Sequence, residues 1–581
     1  MRKRKLNLST AYDWIHTENI DRKRFSKPWT DKSSSLDNDL LKSSQFYVFY
    51  LAAFLITLLF LARLFMLTVV EGQKNRTLAE NNRIRLVEVE APRGKILDRN
   101  GNILADSEEV YFLEKDGKLQ QIISDQAKEL QKLGLANENF SGELGKISVE
   151  IARRYPLSVD AAHVLGYTSV VQGDEVKKGQ SRVQAVGRLG LEQNYNDFLT
   201  GKPGGKLIEV DSRERKVSIL GERAAVGGRN IYSTIDLPLQ KIAYELLAQH
   251  TQSVGTKKGA VVAQNPQTGE ILALASSPSF DPEDIGKSVS DLEKPFFNRA
   301  TQGSYPPGSI FKIVTALAGL DSGLIDENTQ IEDVGEFELG SSKFSNWFFN
   351  QYGKRDGVLK IQKAIARSND IFFYRVAEKV GLETLRRMAI KLGFGQKTGI
   401  DLPAEAVGLV PDEVWKKSAY GQDWFLGDTM HMGIGQGFLL ATPIQINMAT
   451  SYMASGKLMK PYLVSKIDGE SGSAVNLGSK VLGQDLVSRA NFDLVRSGMR
   501  DACRVGGTGA PFFNAPYEVG CKTGTAEKTL GNPHAWFTVF APFDKPTIAV
   551  TILIEDGGEG SVVAAPVARE IINWWIINRN K

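Results

Sequence analysis

Cysteine and histidine are scarce in this chain, with 2 and 5 residues among 581. Two cysteines cannot build a disulfide framework. Cys503 and Cys521 can pair once at most, and their spacing does not say whether they do. The histidines, at positions 16, 163, 250, 431 and 534, show no paired-ligand spacing, so no metal and no cofactor is expected. Neither sign of charge is in large excess. The formal net charge is +4, which removes the bulk electrostatic case for a nucleic-acid partner. Gly433-Ile-Gly-Gln-Gly437 lacks the glycine spacing of a dinucleotide site and reads as a structural turn. Long apolar runs are also nearly absent. One exists, Phe46 to Val70, and no second stretch approaches its length.

That run is about the 20 residues a bilayer requires. Arg2, Lys3, Arg4, Lys5, Arg22, Lys23, Arg24, Lys27, Lys32 and Lys42 precede it. A basic flank of this kind keeps the N-terminus in the cytoplasm. No small-residue cleavage site follows, so the expectation is an uncleaved single-pass anchor in the cytoplasmic membrane with everything after it outside the cytoplasm. Residues 1–45, mixed in charge and poor in aliphatics, read as a disordered cytoplasmic tail.

Residues 71–230 read as a pedestal and interaction domain rich in strands. Ala79 to Glu90 passes from polar to alternating, as a strand leaving the membrane would. Arg93-Gly-Lys-Ile-Leu-Asp-Arg-Asn-Gly-Asn-Ile-Leu-Ala105 carries an Asn-Gly turn between two apolar runs, a hairpin signal. Leu119 to Leu133 is charged and helix-prone, and Gly187-Arg-Leu-Gly-Leu-Glu192 punctuates the end. No nucleophile and base pair stands out in this half. Residues 231–581 open with a strand at 230–236, a helix at 239–250 and a hairpin of 259–264 with 270–275. They close with strands at 535–540 and 547–554 and a helix at 568–578. Strands at both ends of a helical centre imply an α+β domain with one antiparallel sheet.

The chemistry concentrates in three short stretches. Tyr305-Pro-Pro-Gly-Ser-Ile-Phe-Lys312 places Ser309 and Lys312 three apart at the head of an apolar helix, on one face. A serine needs a base to become a nucleophile. A desolvated lysine loses its proton more easily, so Lys312 suits that role. Arg367-Ser-Asn-Asp370 sets Ser368 and Asp370 two apart on what reads as a short loop. Lys-Thr-Gly occurs twice. Lys397-Thr-Gly lies in a loop after a helix end and reads as turn chemistry, whereas Lys522-Thr-Gly-Thr525 lies close before the C-terminal strands. On a strand Lys522 and Gly524 share a face.

Ser-x-x-Lys, Ser-x-Asp and Lys-Thr-Gly, in this order, are the motif set of penicillin-binding proteins and class A β-lactamases. With the anchor, Arg93-Gly-Lys-Ile-Leu-Asp-Arg-Asn-Gly101 and Gly187-Arg-Leu-Gly-Leu-Glu192, the chain resembles a class B penicillin-binding protein. Tyr305-Pro-Pro-Gly-Ser309, Asp370, Gly433-Ile-Gly-Gln-Gly437, His534-Ala-Trp-Phe537 and Ala564-Ala-Pro566 make it similar to the elongation type. Ile310 stands where threonine is common and Cys521 where a small residue is usual.

The resemblance implies a penicillin-sensitive D,D-transpeptidase that cross-links peptidoglycan stem peptides through a serine acyl-enzyme, with D,D-carboxypeptidase activity left open. Ser309 would be the nucleophile and Lys312 its base, with Ser368, Asp370 and Lys522 completing the catalytic set. Asn369, Thr523, Gly524 and Thr525 would bind substrate or its oxyanion. β-Lactams would acylate Ser309, and a polytopic glycan polymerase would be the partner. The competing readings are a division-type transpeptidase, a membrane-anchored β-lactam sensor or β-lactamase, and an inert wall-synthesis scaffold.

Overall fold

The computed structural model describes residues 43–115, 118–132, 136–137, 145–171, 184–211, 216–340, 342–469, 473–528 and 530–579. The tail expected at 1–45 lies outside them up to residue 42, as does Leu133. Two bodies are present, one ending at Asn82 and one spanning Arg83–Lys581.

In the first body the apolar run is helical from Ser43–Phe65, and a π-helical turn continues it over Met66–Val70. The stretch Phe46–Val70 is long and apolar enough to cross a membrane. Its two threonines are satisfied internally. Thr57 and Thr68 donate to the carbonyls of Ala53 and Leu64, four residues back, at 2.8 and 2.7 Å. In hydrocarbon, where water offers no partner, this removes most of the cost of a hydroxyl. The strand expected from Ala79 starts later, because a helix, Gly72–Arg83, carries the chain up to Ile84. Its Gln, Lys, Arg, Leu, Ala and Glu are sound helix formers, and the alternation that specifies a strand begins only with Ile84–Val89.

The early part of the second body is strand-rich. Ile84–Val89, Gly204–Val210 and Lys216–Arg223 form one antiparallel sheet. The Asn-Gly hairpin joins Ile96–Leu97 to Ile103–Lys115, and Asp98 Oδ1 ties the turn by accepting from Asn100 N and Asn102 N, both at 2.8 Å. The helix expected over 119–133 is half replaced. Lys118–Ile122 pairs with Ile103–Lys115, and the helix proper is Ser124–Lys132. Cross-strand pairing overrides local propensity there. The hairpin sheet continues through Ile231–Ser233 into Val464–Asp468, so one sheet runs from the pedestal strands into the second half of the chain.

Arg93 and Glu192, from the two glycine-containing stretches of this region, meet in its interior. Glu192 is fully buried, and Arg93 and Arg153 each bind it through Nε, Arg153 at 2.7 Å. Arg93 also donates to Asn196 Oδ1, Thr200 Oγ1 and the Glu192 carbonyl. Two guanidiniums on one carboxylate leave no slack. Glu192→Ala strands both cations in a dry site, and removing one partner of such a pair costs about 3–5 kcal/mol. The expected result is a large fall in the thermal midpoint of this variant. A midpoint at the parental value overturns this account of the core.

The second half holds the elements labelled below. Helix α1 (Leu237–Ser253), capped by Asp236, precedes the hairpin strands β1 (Gly259–Gln264) and β2 (Ile271–Ser277). Then come α2 (Lys312–Asp321), α3 (Ile361–Arg367), α4 (Asp370–Lys391), α5 (Pro443–Ser455) and α6 (Arg489–Ala502). Strands β3 (Gly520–Ala526), β4 (His534–Ala541) and β5 (Ile548–Ile554) and helix α7 (Ala564–Arg579) close the chain. The sheet order is β2-β1-β5-β4-β3, antiparallel throughout. Strands β1, β2, β4 and β5 are buried along their whole length, which their continuous apolar sequences specify. Helices α1 and α7 pack on one face, and α2 and α5 belong to the core on the other. Strand β3 stays at the edge, with one side unpaired by strand.

Candidate active site

The nucleophile motif does not open an α-helix directly. Gly308–Phe311 forms a 3₁₀ turn, and the α-helix begins at Lys312. Ser309 is half-buried in that turn, whereas the Lys312 side chain is fully buried. Two glycines let this turn abut β3. Gly308 has φ +54°, and a Cβ there would stand 2.8 Å from the Thr525 carbonyl. A Cβ on Gly524 would come within 3.0 Å of Ile310 and 3.2 Å of the Pro307 carbonyl. No side chain fits either gap. Tyr305 Oη is anchored to Glu555 at 2.7 Å, and Trp536 Nε1 donates to the Pro306 carbonyl at 3.0 Å.

Ser368 and Asp370 lie at a corner between two helices, where a short loop was expected. Ser368 ends α3 in the left-handed region at φ 52°, rare for a residue with a Cβ. Asn369 caps α4 by accepting from Phe372 N at 2.9 Å. Asp370 opens that helix, where the dipole favours a carboxylate.

Four of the motif residues meet in hydrogen-bonding contact. Lys312 Nζ donates to Asp370 Oδ1 at 2.7 Å and to the Ser368 carbonyl at 2.7 Å, with Ser368 Oγ at 3.4 Å. Lys522 Nζ donates to Ser368 Oγ at 2.7 Å and to the Thr523 carbonyl at 3.0 Å. The serine hydroxyl is therefore held between two amines. Among the described residues the hydrogen bonds of Lys312 Nζ go to Ser368 and Asp370, and none goes to Ser309. Burial pushes the Lys312 amine below the ordinary lysine range, while Asp370 beside it pulls the other way. Burial pushes Lys522 well below that range too, and the nearby Lys312 charge adds to the shift. Both shifts make the neutral amine easier to reach. A neutral amine is what a general base requires.

The other expected residues are placed differently. Gly524 shares the face of Lys522 and packs against the nucleophile turn. Thr523 hydrogen-bonds Thr508 through their hydroxyls at 2.9 Å. Thr525 is half-buried, and its carbonyl accepts from Gln436 Nε2 at 3.3 Å. Asn369, expected among the substrate-binding residues, is fully buried. Its Nδ2 donates to Asp333 at 3.0 Å and to Asp356 at 3.3 Å, and capping α4 takes up its oxygen. Cys503 and Cys521 form a disulfide with Cα atoms 5.9 Å apart. It ties the end of α6 to β3, one residue before Lys522.

The second Lys-Thr-Gly is elsewhere and closed on itself. Glu405 accepts from Thr398 N at 2.7 Å, from the Thr398 hydroxyl and from Gly399 N, and Lys397 stays exposed. Of Gly433-Ile-Gly-Gln-Gly437, read as a turn, Gly433 ends a helix and the turn begins at Ile434; it seats the nucleophile segment, with the Gly435 carbonyl accepting from Gly308 N at 2.8 Å. Sequence reasoning missed Asp333, Asn346, Trp347, Gln436, Thr508 and Glu555. No spacing marks them, because they reach the site from five segments outside the three motifs, with only Asn346 and Trp347 adjacent.

The family profile described as penicillin binding protein transpeptidase domain matches residues 259–573, and the penicillin-binding protein dimerisation domain matches 117–233. Peptidoglycan D,D-transpeptidase MrdA of Haemophilus influenzae is 30% identical over 95% of this chain and 94% of its own. The Helicobacter pylori penicillin-binding protein PBP2, solved in complex with MreC, superposes with a TM-score of 0.71 at 28% identity, covering 86% of this chain and 99% of that one. A chain from a peptidoglycan synthase complex that coordinates polymerization and crosslinking gives 0.74 at 29% identity, covering 90% and 97%. Motif order, the amine-serine-amine contact beside the nucleophile turn and these similarities over nearly the full length agree: the chain belongs to the class B penicillin-binding proteins, as a peptidoglycan D,D-transpeptidase of the elongation type, penicillin-binding protein 2.

Proposed function

We propose that Ser309 is the acylated nucleophile and that Lys312, Ser368, Asp370 and Lys522 move and hold its protons. The observation that carries this is the buried contact chain Asp370–Lys312–Ser368–Lys522 beside the Ser309 turn. The Ser309 Oγ attacks the carbonyl carbon of the penultimate D-alanine, and Lys312 takes the hydroxyl proton. The peptide C–N bond breaks, Ser368 passes a proton to the departing D-alanine, and an amine of a neighbouring stem then displaces Ser309. The Ser309 and Thr525 N–H groups stabilise the oxyanion. Edge strand β3 offers its free backbone to the extended stem, and Thr523 and Thr525 bind its carboxylate. The test is labelling of the intact protein with a β-lactam. The adduct is expected on Ser309, and an adduct on any other residue overturns the assignment.

Domain limits follow the same reading: anchor 46–70, pedestal 71–230 and transpeptidase 231–581. The pedestal and anchor meet a polytopic glycan polymerase, as suits a transpeptidase that makes no glycan itself. The N-terminus faces the cytoplasm. The basic flank before the span supports this orientation, and so does the Cys503–Cys521 disulfide, since such bonds persist in oxidising compartments. A reporter fused after Lys581 is expected to work only outside the cytoplasm. Cytoplasmic activity of that reporter reverses the topology.

A further inference from the structure

A second layer of polar groups lies under the catalytic residues, outside all three motifs. Asp333 ends a short strand, Ile331–Asp333, that pairs with Gly357–Leu359. The residue is 2% exposed, and its side chain accepts four N–H groups. Gly335 N reaches Oδ1 at 2.9 Å. Asn346 Nδ2, Asn369 Nδ2 and Asp356 N reach Oδ2 at 2.9, 3.0 and 2.8 Å. A carboxylate only accepts, so it can gather donors from four segments in a dry interior, where a lone charge would be costly.

Both asparagines lead to Asp370. Asn346 Oδ1 accepts from Asp370 N at 3.0 Å, and Asn369 precedes Asp370 and caps its helix. Trp347 N, next to Asn346, donates to Asp370 Oδ2 at 2.9 Å. Asp370 is thus gripped through its backbone and one oxygen, and its other oxygen meets Lys312. The far side of the layer is closed by Arg367, which binds Asp356 at 2.9 Å, while its carbonyl accepts from Trp347 Nε1 at 3.1 Å.

We propose that Asp333 is a positioning residue for acylation: through Asn346 and Asn369 it fixes Asp370, and through Asp370 it fixes the amine of Lys312. This rests on Lys312 acting as the base of Ser309. The charged groups facing that amine are Asp370 from α4 and Lys522 from β3, with Ser368 between the two amines; Tyr374 lies one turn further along α4. If Asp370 drifts, two things follow. The base loses its aim, and its ammonium loses its counter-charge, so it gives up its proton at lower pH. A purely structural role for Asp333 would lower the melting point and leave the pH profile of the folded protein unmoved.

The experiment measures acylation of the detergent-solubilised full chain by a fluorescent penicillin across pH, with a thermal melt for each variant. The variants are Asp333→Asn, Asn346→Ala, their double and Lys312→Ala. Asp333→Asn turns one accepting oxygen into a donor facing donors. Asn346→Ala cuts one link to Asp370 and leaves Asp333 its other three donors. Each single variant is expected to lose on the order of 100-fold in acylation rate, the loss that an ångström-scale misplacement produces. The acid limb of the rate should move to lower pH, and the double should be no worse than its weaker parent, as coupled sites behave. Folded variants acylating within about twofold of the parent, the scatter of a neutral substitution, overturn the proposal if Lys312→Ala is inactive. If Asp333→Asn does not fold, Asn346→Ala decides alone by the same criteria. Parental acylation by Lys312→Ala overturns the base assignment, and the proposal with it.

Discussion

Ser309→Ala is expected to form no covalent β-lactam adduct, and Lys312→Ala in folded protein to fall to the same background. Members of one catalytic unit are not additive, so the double variant should match the singles, a loss on the order of 10⁴- to 10⁶-fold. Alanine is a good helix former, so the turn and α2 should survive each change, which a thermal melt checks. The pH dependence follows from the same base. Burial lowers the proton affinity of Lys312, and Asp370 opposes it without cancelling it. Acylation should therefore hold at pH values below the ordinary lysine range and fall as acid protonates the amine. Near-parental acylation by Lys312→Ala would transfer the proton to Ser368 or to water. A pH-independent rate in the parent would argue the same way.

Lys522→Ala is expected to abolish most acylation, whereas Lys397→Ala should leave it close to parental. Lys522 is fully buried and holds Ser368 Oγ at 2.7 Å. Its loss removes the donor that holds the Ser368 hydroxyl where charge develops, a change worth about 10²- to 10³-fold for one preorganised donor. Lys397 sits exposed on a loop whose Thr398 and Gly399 are tied to Glu405. The opposite ranking of the two variants, measured on folded protein, would move the site to the 397 loop.

The sequence alone determined what short-range patterns encode. The apolar run from Phe46 to Val70 could only be one long helix, and the Asn-Gly hairpin, the hairpin of β1 with β2 and the C-terminal strands were legible from turn residues and apolar runs. Ser309 with Lys312, Ser368 with Asp370, and Lys522-Thr-Gly were readable because each motif fits within four residues. Local pattern misled where a neighbour decided the outcome. Lys118–Ile122 became a strand because Ile103–Lys115 pairs with it. Asn369 turned inward because Asp333 and Asp356 offer it acceptors.

Only the tertiary structure brought Lys312, Ser368, Asp370 and Lys522 into contact. Only it paired Cys503 with Cys521, set Glu192 between two arginines and placed Asp333 beneath Asp370. The physical reason is the same in each case. A buried charge or donor needs a partner, and that partner comes from whichever segment the packed core brings near. Sequence spacing records periodicity along one element and carries no trace of a partner on another segment.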